Sequence, residues 1–78
     1  PWMSVGVVVP DETVGRVSGD LARRRARIQG SETRGSLQAL KVEAPLAEML
    51  AYATDLRSLT AGRGAFSMEP IGFEPTPG

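Results

Sequence analysis

Met3, Val5, Val7 and Val9 alternate with Trp2, Ser4, Gly6 and Val8. This two-residue period with β-branched side chains predicts a strand over 2–9 that Pro10 ends. Asp11, Glu12 and Thr13 then place acidic and capping groups at a helix start. A helix over 11–25 sets Val14, Val17, Ser18 and Leu21 on one side and Arg16, Asp20 and Arg23 on the other. Ala26, Ile28 and Gly30 alternate with Arg27, Gln29 and Ser31 as a second strand, and 32–35 is a polar turn closed by Gly35. In the third strand Gln38, Leu40, Val42 and Ala44 share one face, while Leu37, Ala39, Lys41 and Glu43 share the other. Pro45 suits the start of a second helix, with Leu46, Met49, Leu50, Ala53, Leu56 and Thr60 inward and Gly62 as its stop. A last strand over 64–69 sets Phe66 and Met68 together, and Pro70, Pro75 and Pro77 make an extended exit.

The order β-α-β-β-α-β predicts an α+β, ferredoxin-like sandwich: a four-stranded antiparallel sheet with two helices on one face. The other sheet face is mixed in polarity and calls for water or a neighbouring domain. The expected organisation is one module over 1–74 followed by a tail over 75–78. Because the chain opens on Pro1 rather than Met, already at the edge of a strand-like run, it reads as a piece of a longer protein.

Composition narrows the function. A chain of 78 residues makes one domain and buries only roughly 60–65% of its unfolded surface. It has no Cys and no His, which removes disulfides, thiolate nucleophiles, histidine bases and most transition-metal sites. Ser and Thr have no base to activate them, and Asp11–Glu12 is accounted for by the helix dipole. No glycine-rich loop runs into Lys-Ser/Thr. The four aromatics, Trp2, Tyr52, Phe66 and Phe73, form no base-stacking platform on the central strands. No enzyme, no cofactor, no membrane and no DNA partner are expected of this chain.

The zero net charge hides a division. Residues 16–34 carry a net +4, with six arginines, and the rest carry −4. Arginine's flat five-donor fork suits phosphate. Three features follow. Arg23, Arg24 and Arg25 stand at the end of the first helix, where they either complement the helix dipole, with Asp20–Arg24 paired at i,i+4, or bind RNA phosphate. Gly15 and Gly19, with Ala22, make a flat stripe suited to close packing, first on a neighbouring element of the same protein, otherwise on an outside partner. Arg57, Ser58 and Arg63 gather where the second helix stops, as C-capping groups or as contacts for a nucleic-acid backbone.

Three stretches carry a family resemblance: Gly19-Asp20-Leu21 with Arg23-Arg24-Arg25 and Ile28; Arg34-Gly35; and Pro45-Leu46 through Tyr52-Ala53-Thr54-Asp55-Leu56-Arg57-Ser58 to Thr60 and Gly62-Arg63-Gly64, then Met68-Glu69. Together they resemble the C-terminal domain, domain V, of bacterial elongation factor G, and the likeness covers residues 1–74. It implies a ferredoxin-like fold and a place in a cytoplasmic translational GTPase that drives tRNA–mRNA translocation, with GTP and Mg held by an N-terminal domain outside this chain. It also implies docking on the large ribosomal subunit, with Arg57 and Ser58 at the sarcin–ricin loop, Arg23 to Arg25 toward the stalk base, and the open sheet face against other domains of the same protein. Ala61 stands where the family usually has Gln, Leu50-Ala51 where it has Phe-Gly, and Pro70-Ile71-Gly72 replace a more aromatic ending. These departures point to a diverged paralogue or a related ribosomal protection protein of the tetracycline-resistance type. The competing reading, from another class, is a free-standing ferredoxin-like regulatory module that binds a small ligand or dimerises through its sheet.

Overall fold

The computed structural model describes residues 1–71; the expected tail at 75–78, and 72–74 before it, lie outside the described residues. Strand β1 (Trp2–Pro10) leads through a single 3-10 turn (Asp11–Thr13) into helix α1 (Val14–Arg23). Strands β2 (Arg27–Arg34) and β3 (Leu37–Pro45) form a hairpin, a second 3-10 turn (Leu46–Glu48) precedes helix α2 (Tyr52–Leu59), and β4 (Ala65–Pro70) completes the sheet. The sheet order is β2-β3-β1-β4 with every neighbouring pair antiparallel, the ferredoxin-like arrangement expected from the element order.

The core is one layer. Val5, Val7, Val9, Leu40, Val42 and Ala44 of the sheet meet Val17, Leu21, Met49, Tyr52 and Leu56, all buried. Each buried Val, Leu or Met among them contributes on the order of 1.5–3 kcal/mol. Met3, Val14, Phe66 and Met68 pack at the margin. Tyr52 meets Phe66 edge to face, with ring centroids 5.1 Å apart, a favoured geometry because the positive ring edge faces the negative ring surface.

Several local expectations are corrected. Strand β2 runs to Arg34, so the turn shrinks to Gly35-Ser36, with Arg34 paired to Leu37. Gly35 takes φ 63° there, a backbone suited to the twist of a two-residue hairpin and open to glycine at no steric cost. The ladder also slips between Ile28 and Gly30, so Ile28 faces Val42 whereas Gly30 faces Lys41. One extra residue inverts the alternation, and Gly30 leaves the face it was expected to share with Ala26 and Ile28. The helices do not reach over β2, whose eight residues are all exposed.

The second helix does not begin at Pro45. Ala51 takes a left-handed φ of 62°, which breaks the 3-10 turn from α2 and rotates the phase of the following residues. Tyr52 thereby turns inward, while Ala53 and Leu50, expected in the core, are exposed, Leu50 at 72%. The first helix is likewise shorter than 11–25. Asp20, placed outward by the helical wheel, is buried for a reason its neighbours supply.

Candidate nucleic-acid interface

Antiparallel packing of the helices sets the end of α1 beside the start of α2, and the end of α2 beside the start of α1. At the first of these junctions lies Arg24. It follows Val17 by seven residues, close to two helical turns, and so falls on the buried stripe of α1. Its Nε donates to Asp20 Oδ2 at 2.8 Å, and one Nη donates to the Glu48 carbonyl at 2.7 Å and the Leu50 carbonyl at 3.4 Å. The other Nη bonds the Asp55 carboxylate, and the guanidinium carbon lies 4.9 Å above the Tyr52 ring. The side chain is 11% exposed. Burial works against its charge, yet the bonds to Asp20 and Asp55 outweigh this and hold its pKa above the ordinary value.

This ring of acceptors corrects the reading of Arg24 as a surface phosphate ligand. The i,i+4 pair with Asp20 is present, and it explains the burial of Asp20, whose carboxylate also receives a bond from Arg23. Arg23 and Arg25 remain outward. The Arg23 side chain is 76% exposed despite its bond to Asp20; Arg25 is exposed, at φ 64°. Nearby, Arg27 stacks over Trp2, its guanidinium carbon 5.3 Å from the ring centroid. Tyr52 is sealed beneath this junction, its hydroxyl without a partner among the described residues. Burial first, then Asp20, pushes its pKa up to about 12, against the opposing pull of Arg24.

The other junction is built around Thr60. Its buried hydroxyl donates to the Leu56 carbonyl at 2.8 Å and accepts from the Gly64 amide at 2.8 Å. The Gly62 amide donates to the Arg57 carbonyl at 2.8 Å, and Arg16 reaches the Leu59 carbonyl at 3.4 Å. Of the carbonyls left open at the end of a helix, those of Leu56, Arg57 and Leu59 are thus met by backbone amides, Thr60 and Arg16. The side chains of Arg57 and Ser58, the expected capping groups, take no part: both are exposed, with no hydrogen bond or ion pair among the described residues. Arg63 is outward too, bonded to Glu12 at 2.8 Å with both side chains more than half exposed. That bond, together with Glu12's own backbone, holds the Glu12 carboxyl below its usual range.

Arg57 and Ser58 thus stand exposed near the end of α2 and Arg63 in the turn after it, while Arg16 reaches the same helix end through the Leu59 carbonyl. Arg16 was not among the expected contacts because it is remote in sequence; its outward position on α1 was the available signal. The Gly15–Gly19–Ala22 stripe also faces outward, and a methyl group added at either glycine meets nothing within 4 Å. The expected packing on a neighbouring element is therefore not found among the described residues. On the opposite sheet face lies an open trough of about 740 Å³ whose lining includes Gly6, Ala39, Lys41, Ala65, Ser67 and Glu69.

A family model described as the elongation factor G C-terminus matches residues 1–78. Elongation factor G of Ureaplasma parvum serovar 3 and that of Ureaplasma urealyticum serovar 10 are each 54% identical over 77 residues, covering 99% of this chain. The chain spans 11% of the length of those relatives. A crystal structure from Thermus thermophilus superposes with a TM-score of 0.83 at 45% identity, over 88% of this chain and 10% of that one.

Proposed function

The chain belongs to the elongation factor G C-terminus family, and from that premise we propose that it docks a translational GTPase onto large-subunit ribosomal RNA through Arg57, Ser58 and Arg63, with Arg23 and Arg25 as a second contact. The observation that carries this reading is the division of labour at the end of α2. The Leu56, Arg57 and Leu59 carbonyls are met by the Thr60 hydroxyl, the Gly62 amide and Arg16, and the side chains of the outward Arg57 and Ser58 take no part in that capping.

A guanidinium presents paired donors to phosphate oxygens and a serine hydroxyl adds a third, so the two can grip one backbone turn of RNA. Arg63 supplies more positive charge, and its exposed bond to Glu12 is weak enough to exchange for a phosphate. Ala61 offers no polar group to this contact. The stalk base is assigned to the Arg23–Arg25 end and the sarcin–ricin loop to the Arg57 end, following the family likeness. The trough on the sheet suits a neighbouring domain of the same protein. GTP and Mg do not fit this chain, which has no glycine-rich loop ending in Lys-Ser/Thr. They belong, in this reading, to a cytoplasmic protein's separate nucleotide domain.

The test is Arg57→Glu in the full-length factor, where several domains share the docking. Ribosome affinity is expected to fall about tenfold or more. The plot of log affinity against log salt is expected to become shallower by about 0.7–0.9 for each phosphate no longer neutralised. Unchanged affinity together with unchanged ribosome-stimulated GTP turnover would overturn the assignment.

A further inference from the structure

We propose that Arg24 is a positioning residue for the docking surface: one guanidinium ties the end of α1, the 48–51 link and the first turn of α2 into a unit, and so fixes where α2 presents Arg57 and Ser58. The inference rests on the docking role proposed above.

Apart from the buried Tyr52, helix α2 has little of its own to hold its start. It is eight residues long, too short to be stable on its own propensity. The residue before it, Ala51, is left-handed and caps nothing with its side chain. What meets the start instead is Arg24, bonded to Asp55 in the first turn and to the Glu48 and Leu50 carbonyls just before it. The anchor at the other end of this tie is Asp20, itself buried in α1. Arg24 also sits over the ring of Tyr52, the first residue of α2 and one of the most buried side chains. A lysine could not reproduce this, because a point-like ammonium neither bridges two carboxylates as a planar fork nor stacks on the ring. Arg57 and Ser58 follow Asp55 within a single turn, so any tilt of that turn moves them directly.

Two variants of the full-length factor test the tie, Arg24→Gln and Asp55→Asn, with Arg57→Gln as the docking control. Peptide-resolved hydrogen exchange is expected to speed up about tenfold across 46–59 while 38–44 in the sheet keeps its protection. Ribosome affinity is expected to fall severalfold with the salt slope unchanged, because every phosphate keeps its ligand. Asp55→Asn is the sharper variant. Its carboxylate is 48% exposed and its loss leaves the buried Arg24 paired with Asp20, and removing an acidic group would by charge alone tighten binding to RNA. If Arg24→Gln also loosens the sheet, Asp55→Asn decides alone. A slope shallower by about 0.7–0.9 in Arg24→Gln would make Arg24 a direct phosphate ligand and overturn the proposal. Unaltered exchange across 46–59 in Asp55→Asn would overturn it as well. A loosened α2 with unchanged affinity overturns the positioning role where Arg57→Gln weakens binding; an Arg57→Gln without effect overturns the docking reading instead.

Discussion

A guanidinium can end in water or in a ring of acceptors, and Arg57 and Arg24 take the two outcomes. Both were legible as candidate ligands because composition and motif treat every arginine alike. Only Arg24 lies two turns beyond Val17, on the buried stripe, with Asp20 one turn before it. That spacing was available in the sequence; the second carboxylate, Asp55, was not, because it comes from another helix. Tyr52 reports on the same junction. It is the only tyrosine, so absorbance at 295 nm follows it alone, and its titration midpoint in the folded chain is expected at about 12. The unfolded phenol titrates near 10. Since the folded state keeps its proton through that window while the unfolded state loses it, stability is expected to fall as pH rises from about 10 to about 12. A native midpoint near 10 would show Tyr52 to be solvated.

At the scale of elements, the backbone makes opposite demands on similar small residues. Gly15 and Gly19 sit exposed within α1 with space for a methyl group, so Gly15→Ala and Gly19→Ala are each expected to raise stability in chemical denaturation by about 0.5–1 kcal/mol. Ala51 has the reverse problem, a side chain at a left-handed φ, and Ala51→Gly is expected to stabilise by about 0.5–1 kcal/mol. Gly64 admits no side chain: a Cβ there would lie 2.9 Å from Thr60 Oγ1 and 3.2 Å from Val9 Cγ1. Gly64→Ala is expected to destabilise by about 1–3 kcal/mol and to disturb the turn that frees Arg57. Equal effects at Gly19 and Gly64 would contradict this packing.

Across the whole molecule, the basic groups divide between two ends of the helix layer. Arg25 follows the end of α1 and Arg57 lies in the last turn of α2, both exposed and with no shared partner among the described residues. Their neutralisations, Arg25→Gln and Arg57→Gln, are expected to weaken ribosome binding additively within about 0.3–0.5 kcal/mol, measured as the double variant against the two singles. Marked non-additivity would mean that both ends serve one contact. The charge division along the sequence does not survive folding as one patch: Arg16 goes to the Arg57 end, whereas Arg23 and Arg25 stay at the other.

Periodicity alone determined the element order, the ferredoxin-like sheet and most of the core, because a two-residue or 3.6-residue repeat is a local property that burial on one face reads directly. The motif over 52–63 likewise carried the family. Tertiary structure decided what depends on contacts between distant segments: the bulge that turns Gly30 over, the left-handed Ala51 that re-phases α2, and the fate of each arginine. A side chain's charge is written in the sequence, but whether it meets water or a carboxylate depends on which helix folds against it.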